Sequence, residues 1–224
     1  MKSNESLQRD VQDALKWEPL ISAAEIGVTV NNGIVTLTGT VNSYSKKLEA
    51  ENAAKNVAGV KAVVEKIEIN FYGLSAKTDG EIANDIISFF RWNKEIPDDK
   101  IKIKVENGWV TLEGELSWNF QKRAAATSVR YIPGVKGITN HITTRTEAGD
   151  VIEKKDIERA LVRNWSINDK EVFVNVVQNK VTLHGKVHSL YQREQAELIA
   201  WNAPGVLAVE NELAIEYQDS QLGF

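Results

Sequence analysis

The chain is expected to be an α+β protein of three tandem αββαβ modules, each a three-stranded mixed sheet with two helices packed on one face. The first observation is a pattern that occurs three times, Gly33-Ile-Val-Thr-Leu-Thr-Gly39, Gly108-Trp-Val-Thr-Leu-Glu-Gly114 and Asn179-Lys-Val-Thr-Leu-His-Gly185. The second is a glycine–valine pair that follows each copy, Gly59-Val60, Gly134-Val135 and Gly205-Val206, 20 residues beyond the last glycine of the pattern. The copies themselves lie 75 and then 71 residues apart, so a constant internal spacing is carried by a folded unit repeated along the chain. The third is that helical and alternating hydrophobic periods succeed one another in the same order each time. These landmarks place the modules at residues 3–71, 78–145 and 151–217.

A helix opens each module. Leu7, Val11, Ala14 and Leu15 recur at helical spacing before Pro19, and their counterparts are Ile82, Ile86, Phe89 and Phe90, then Ile157, Ala160 and Leu161. Thr78 with Glu81 has the form of a capping box at a helix start. Two alternating runs follow, Ile26-x-Val28-x-Val30 and Val35-x-Leu37-x-Gly39-x-Val41, joined by Asn32-Gly33, a pair suited to a tight hairpin. Gly33, Gly108 and Asn179 are accordingly assigned to turns. On the second strand Thr36, Thr38 and Thr40 share one face, as do Thr111, Glu113 and Glu115 and then Thr182, His184 and Lys186, so that face is polar. Gly39, Gly114 and Gly185 lie on the apolar side, where the lack of a side chain is expected to let a helix approach the sheet.

The alanine-rich stretch from about 42 to 57 carries Ala50, Ala53, Ala54 and Val57 on one stripe and ends at Gly59, a residue suited to a left-handed helix end, as are Gly134 and Gly205. Ser189 and Gln192 offer a capping box at the corresponding start in the third module. A last strand carries Val60, Val63, Ile67 and Ile69, matched by Val135, Ile138 and Ile142 and by Val206, Val209, Leu213 and Ile215. Reached through a helix, it is expected to run parallel to the second strand.

Composition sets the class of activity. A chain of 224 residues with 42% hydrophobic and 26% charged residues is ordinary globular material. With no cysteine, thiol catalysis, disulfides and cysteine metal sites are excluded. The given sequence starts with no secretory signal pattern and contains no run of about 20 apolar residues, so the expectation is a cytoplasmic chain without a transmembrane segment. A net charge of −4 makes nucleic acid an unlikely partner. No nucleophile-elbow, phosphate-loop or H-E-x-x-H motif is present, so no catalytic residue, cofactor or metal is assigned and the chain is not expected to be an enzyme. His184 and His188 on one strand would stand about 13 Å apart, too far to share an ion, and read as exposed polar-face histidines.

The V-T-L-x-G strand after its turn, the basic helix and the later G-V-x-x-[VI] strand, three times in register, resemble the BON domain family, named for bacterial osmotic-stress and nodulation proteins. The resemblance implies non-enzymatic modules that bind phospholipid surfaces, in osmotic-stress or envelope proteins; an envelope-associated location is the alternative it adds.

Two groups of residues are candidates for such contact. Trp17 and Trp92 occupy one repeat position, about 110° from the centre of the apolar stripe, with Ile96 beside Trp92. Trp165 and Trp201 are assigned to packing. Lys46 and Lys47, Lys122 and Arg123, and Arg193 place cations in the first turn of each second helix, where anionic headgroups would attract them by about 1 kcal/mol apiece, although a solvated helix face accounts for them as well. Two readings stand: peripheral association with an anionic membrane surface, or a scaffold that binds a protein partner or a second copy of itself.

Overall fold

The computed structural model describes residues 2–71, 77–145, 154–164 and 171–216. In the first module a helix α1 (Asn4–Lys16) precedes β1 (Ile26–Asn31), β2 (Ile34–Val41), α2 (Tyr44–Asn56) and β3 (Ala62–Ile69). The second repeats the order as α3 (Asp79–Trp92), β4 (Ile101–Glu106), β5 (Trp109–Leu116), α4 (Asn119–Val129) and β6 (Gly137–Thr144). The third gives α5 (Lys154–Val162), β7 (Val172–Val177), β8 (Lys180–Val187), α6 (Leu190–Trp201) and β9 (Ala208–Ile215). Each sheet has its second strand in the centre. Hairpin partners are antiparallel, with Ile26 opposite Gly39, Ile101 opposite Gly114 and Val172 opposite Gly185. The last strand runs parallel to the central one, Trp109 beside Gly137 and Lys180 beside Ala208. The expected αββαβ modules with mixed sheets are thus present three times.

Alternation decides which sheet face is covered. Val110, Leu112 and Leu116 point into the second core, where Ile82, Ile86 and Phe90 of α3 and Ala125 and Val129 of α4 meet them. In the third core Val181, Leu183 and Val187 meet Ile157, Leu161, Ala196 and Ala200. Phe89 does not join Phe90. It is 45% exposed, because Phe90 follows Ile86 by four residues and takes the inward position, leaving Phe89 about 100° away.

The helix starts are held by side chains. Thr78 accepts a hydrogen bond from the Glu81 amide, and the Glu81 carboxylate accepts from the Thr78 backbone N–H at 2.8 Å. The bond from the Thr78 backbone and then that from its hydroxyl hold the Glu81 pKa below the usual 4.5. A depressed carboxylate pKa stabilises the fold above its unfolded value and loses that contribution as pH falls through the folded one, so α3 is expected to weaken on acidification below about pH 4.5, a change that Glu81→Gln would remove from a pH series of thermal melts. In the third module Ser189 accepts from the Gln192 amide, but Gln192 reaches the backbone N–H of His188 rather than of Ser189.

The hairpin turns show a device that the repeat pattern alone does not reveal. Asn32 and Gly33, like Asn107 and Gly108, take positive φ. The first residue of the opening helix ties each turn down: the Asn4 side chain accepts from the Asn32 amide at 2.9 Å, and both oxygens of Asp79 accept from Asn107 and Gly108 at 2.8 Å. In the third module Lys154 stands at the equivalent position and its side chain has no acceptor to offer. Gln178 takes positive φ there, and the side-chain amide of Asn179 donates to the Gly205 carbonyl at 2.7 Å.

The role of Gly39, Gly114 and Gly185 differs from the expected helix-on-sheet packing. A Cβ at these positions would lie 2.0, 2.2 and 2.0 Å from the carbonyl oxygens of Glu25, Lys100 and Glu171, the residues just before the first strand of each hairpin. The glycine admits a close backbone crossing at the hairpin's open end.

The chain forms two compact units. One comprises Met1–Gly39, Glu49–Ile67 and Asp150–Phe224; the other comprises Thr40–Leu48 and Glu68–Gly149. In the first, Lys55 of α2 reaches Glu51 at 2.9 Å and Glu194 of α6 at 2.8 Å. Burial acts against the Lys55 charge, but the hydrogen bonds and charges of Glu194 and Glu51 outweigh it and hold its pKa above the ordinary 10.5. In the second, Tyr44 packs against the core formed by α3, α4 and the β4–β6 sheet.

Candidate functional site

Trp17 caps the C-terminus of α1 and Trp92 is the last residue of α3; they are 85% and 87% exposed. The cause is local. Leu7, Val11 and Leu15 occupy the buried stripe of α1, and two further residues at 100° each carry Trp17 off that stripe to the helix flank. The same count from Phe90 exposes Trp92. Each ring follows a cation, Lys16 or Arg91, in the last helical turn, where the helix dipole favours positive charge. Leu20 beyond Trp17 and Phe89 one turn before Trp92 are exposed as well, so each ring has an apolar neighbour in sequence.

Ile96 does not belong to this surface. It is 3% exposed and sits in the second core, because Asn93 ends α3 with a turn that carries the chain inward: its carbonyl accepts from the Ile96 amide and its side chain from Glu95. Trp201 packs on the third core. Trp165 lies outside the described residues.

The second-helix cations have diverged. Lys46 and Lys47 are half-buried on α2. Arg193 donates to the Asn211 carbonyl at 3.0 Å, and the Asn211 amide donates back to the Arg193 carbonyl at 2.9 Å, so this guanidinium joins α6 to β9. Lys122 and Arg123 line a groove on α4 with Arg130, Thr127 and Asn140. Burial holds the Lys122 ammonium below the usual lysine range, and burial together with the charge of Arg130 acts in the same direction on Arg123. Arg130 and Asn140 were not among the sequence candidates; overlaying the three copies position by position would have marked them.

The histidines are separately engaged. The His184 ring stacks on Phe173 with centroids 5.6 Å apart. His188 is half-buried rather than exposed, with Nδ1 3.0 Å from the Glu216 carbonyl and Nε2 3.6 Å from the Glu171 carboxylate. Among the described residues no three metal-binding side chains converge, and no helix is long and apolar enough to cross a membrane.

The assembly is therefore a set of two-layer α+β modules whose distinctive residues are exposed rings and helix-borne cations. The sequence pattern described as the BON domain matches residues 3–70, 78–146 and 150–217, and the chain belongs to the BON domain family. It is 27% identical over 143 residues to osmotically-inducible protein Y of Escherichia coli (strain K12), spanning 60% of this chain and 69% of that protein. Two solved structures of CdsD, a structural protein of the type III secretion system of Chlamydia trachomatis, align with 96% of this chain. They do so at 16% and 17% identity over 100% and 94% of their own lengths, with TM-scores of 0.26 and 0.27, too low to bear on the arrangement of the modules.

Proposed function

We propose that this chain is a non-enzymatic, stress-related binding protein that associates peripherally with anionic phospholipid surfaces. The observation that carries the reading is the near-complete exposure of Trp17 and Trp92 at equivalent helix ends, each next to a cation. Indole rings favour the headgroup level, where an apolar body meets a polar edge, and an adjacent Lys or Arg adds attraction to anionic lipid. Leaving both rings in water is unfavourable unless a surface covers them. Similarity to an osmotically inducible protein supports a role in osmotic stress. Each contact is weak, and carrying two on one chain raises the apparent affinity through effective concentration.

Co-sedimentation with vesicles of phosphatidylglycerol in phosphatidylcholine tests this. Binding is expected to need the anionic lipid, to fall with added salt and to weaken about tenfold, the equivalent of 1.4 kcal/mol, when Trp17→Ala and Trp92→Ala are combined. Equal binding to neutral vesicles, or no change in the double variant, overturns the reading. A light-scattering mass above 25.0 kDa that survives dilution, without vesicle binding, selects the scaffold that pairs with a protein or with itself.

A further inference from the structure

We propose that the groove formed by α4 and β6 in the second module is a binding site for a phosphate ester, gripped by Lys122, Arg123 and Arg130. It goes beyond the tryptophan contacts and does not depend on them. The groove encloses about 350 Å³, within the range of small-ligand sites. Its lining includes these three cations, Thr127 and Tyr44 and, among the described residues, no carboxylate. In a chain of net charge −4, that local excess is not a reflection of composition.

The other two modules show what has been removed. Ala126 stands where they carry Glu51 and Glu197, and Asn140 where the first carries Glu65. Glu51 pairs with Lys55 at 2.9 Å, and Glu197 accepts from Asn211 at 3.1 Å. Arg130 replaces Lys55 and Trp201, while Arg123 replaces Leu48 and Glu194. The second module has thus dropped acids and gained arginines on one helix face. Residues 123 and 130 lie seven apart and fall on the same side of α4, with Lys122 adjoining them.

Partial burial lowers the pKa of Lys122 and, with the Arg130 charge acting in the same direction, that of Arg123, so the groove holds cations that water hydrates incompletely. A phosphate ester supplies the missing negative charge, one as the diester of a lipid headgroup and up to two as a soluble monoester, and arginine's planar fork matches phosphate oxygens two at a time. Asn140 is a positioning residue: its amide donates to the Lys122 carbonyl at 3.2 Å and its oxygen accepts from the Ile142 amide at 3.1 Å, which fixes α4 against β6. Tyr44, seated on the module's core, supplies a half-buried aromatic wall.

The phosphate could be carried by a soluble ester or by a lipid headgroup, and two arms separate these sources. The full chain is titrated with glycerol 3-phosphate by calorimetry, and its retention on phosphatidylglycerol vesicles is measured in parallel. At least one arm is expected to show binding that falls at least tenfold in Lys122→Gln with Arg130→Gln. Ala126→Glu, which restores the acid of the other modules, is expected to have the same effect. Trp17→Ala with Trp92→Ala and the surface control Lys154→Gln with Lys155→Gln should leave glycerol 3-phosphate binding unchanged. Binding in the calorimetric arm assigns a soluble ester; binding confined to the vesicle arm, and lost in the groove variants, assigns the headgroup. No binding in either arm, groove variants that bind like the parent, or equal loss in the lysine control overturns the proposal. Circular dichroism establishes that each variant is folded.

Discussion

Replacing Gly114 with alanine is expected to unfold the second module at temperatures where the parent chain is intact. The backbone there has φ +152, and the added Cβ would stand 2.2 Å from the Lys100 carbonyl oxygen. Carbon and oxygen cannot approach so closely, so either the hairpin's open end must separate or the strand must rotate. Backbone strain of this kind costs about 1–3 kcal/mol, and forced displacement of packed strands adds about 1–3 kcal/mol. The sum, roughly 2–6 kcal/mol, is comparable to the whole stability of a domain of this size. The neighbouring residues leave no easy escape, since Ile101 is paired opposite Gly114 and is itself buried. Urea unfolding of the full chain should show part of the transition moved to lower denaturant. Gly80→Ala is the matched control: a Cβ at that helical position meets nothing within 4 Å, and the midpoint should stay level or rise slightly. A Gly114→Ala chain that melts like the parent would show that the close crossing is not required.

Truncation of Phe90 to alanine should cost about 3–5 kcal/mol, whereas Phe89→Ala should stay within about 0.5 kcal/mol. Phe90 is 1% exposed between α3 and the sheet, so its removal leaves a cavity bounded by a helix and strands that cannot both close on it. Phe89 is 45% exposed one position away. Thermal melts of the two variants separate the alternatives directly: equal losses would mean that both rings are structural. Such a result would also remove Phe89 from the exposed surface next to Trp92.

Much of this architecture was legible because its causes are local. Alternation at Val35, Leu37 and Val41, the Asn32-Gly33 turn and the Ala50, Ala53 and Ala54 stripe each act within a few residues, and repetition multiplied the signal. The Thr78–Glu81 box could be read for the same reason. What escaped the sequence depends on encounters between distant positions. The carbonyl that excludes a side chain at Gly114 belongs to Lys100, and nothing in the V-T-L-x-G pattern points to it. Ile96 was misplaced because the turn at Asn93 reverses the chain, which helical periodicity cannot foresee. Adjacent phenylalanines, 89 and 90, gave the stripe one residue too many. The exposure of Trp17 and Trp92 was readable from their angular offset, whereas the cationic groove needed Tyr44, Lys122 and Asn140 to be brought together from α2, α4 and β6.

The tie between the opening helix and the hairpin turn has a consequence for how the modules come apart. In the first two, Asn4 and Asp79 hold the turn, so the helix cannot lift from the sheet without releasing backbone amides at the far end of the hairpin. Helix and hairpin there are expected to open together. In the third, the Asn179 side chain fastens the turn to the loop at Gly205, and among the described residues no side chain of α5 is bonded to that turn, so release of α5 is expected to cost the hairpin no such bond. One repeated topology is thus expected to open in two different orders, according to where a single turn is fastened.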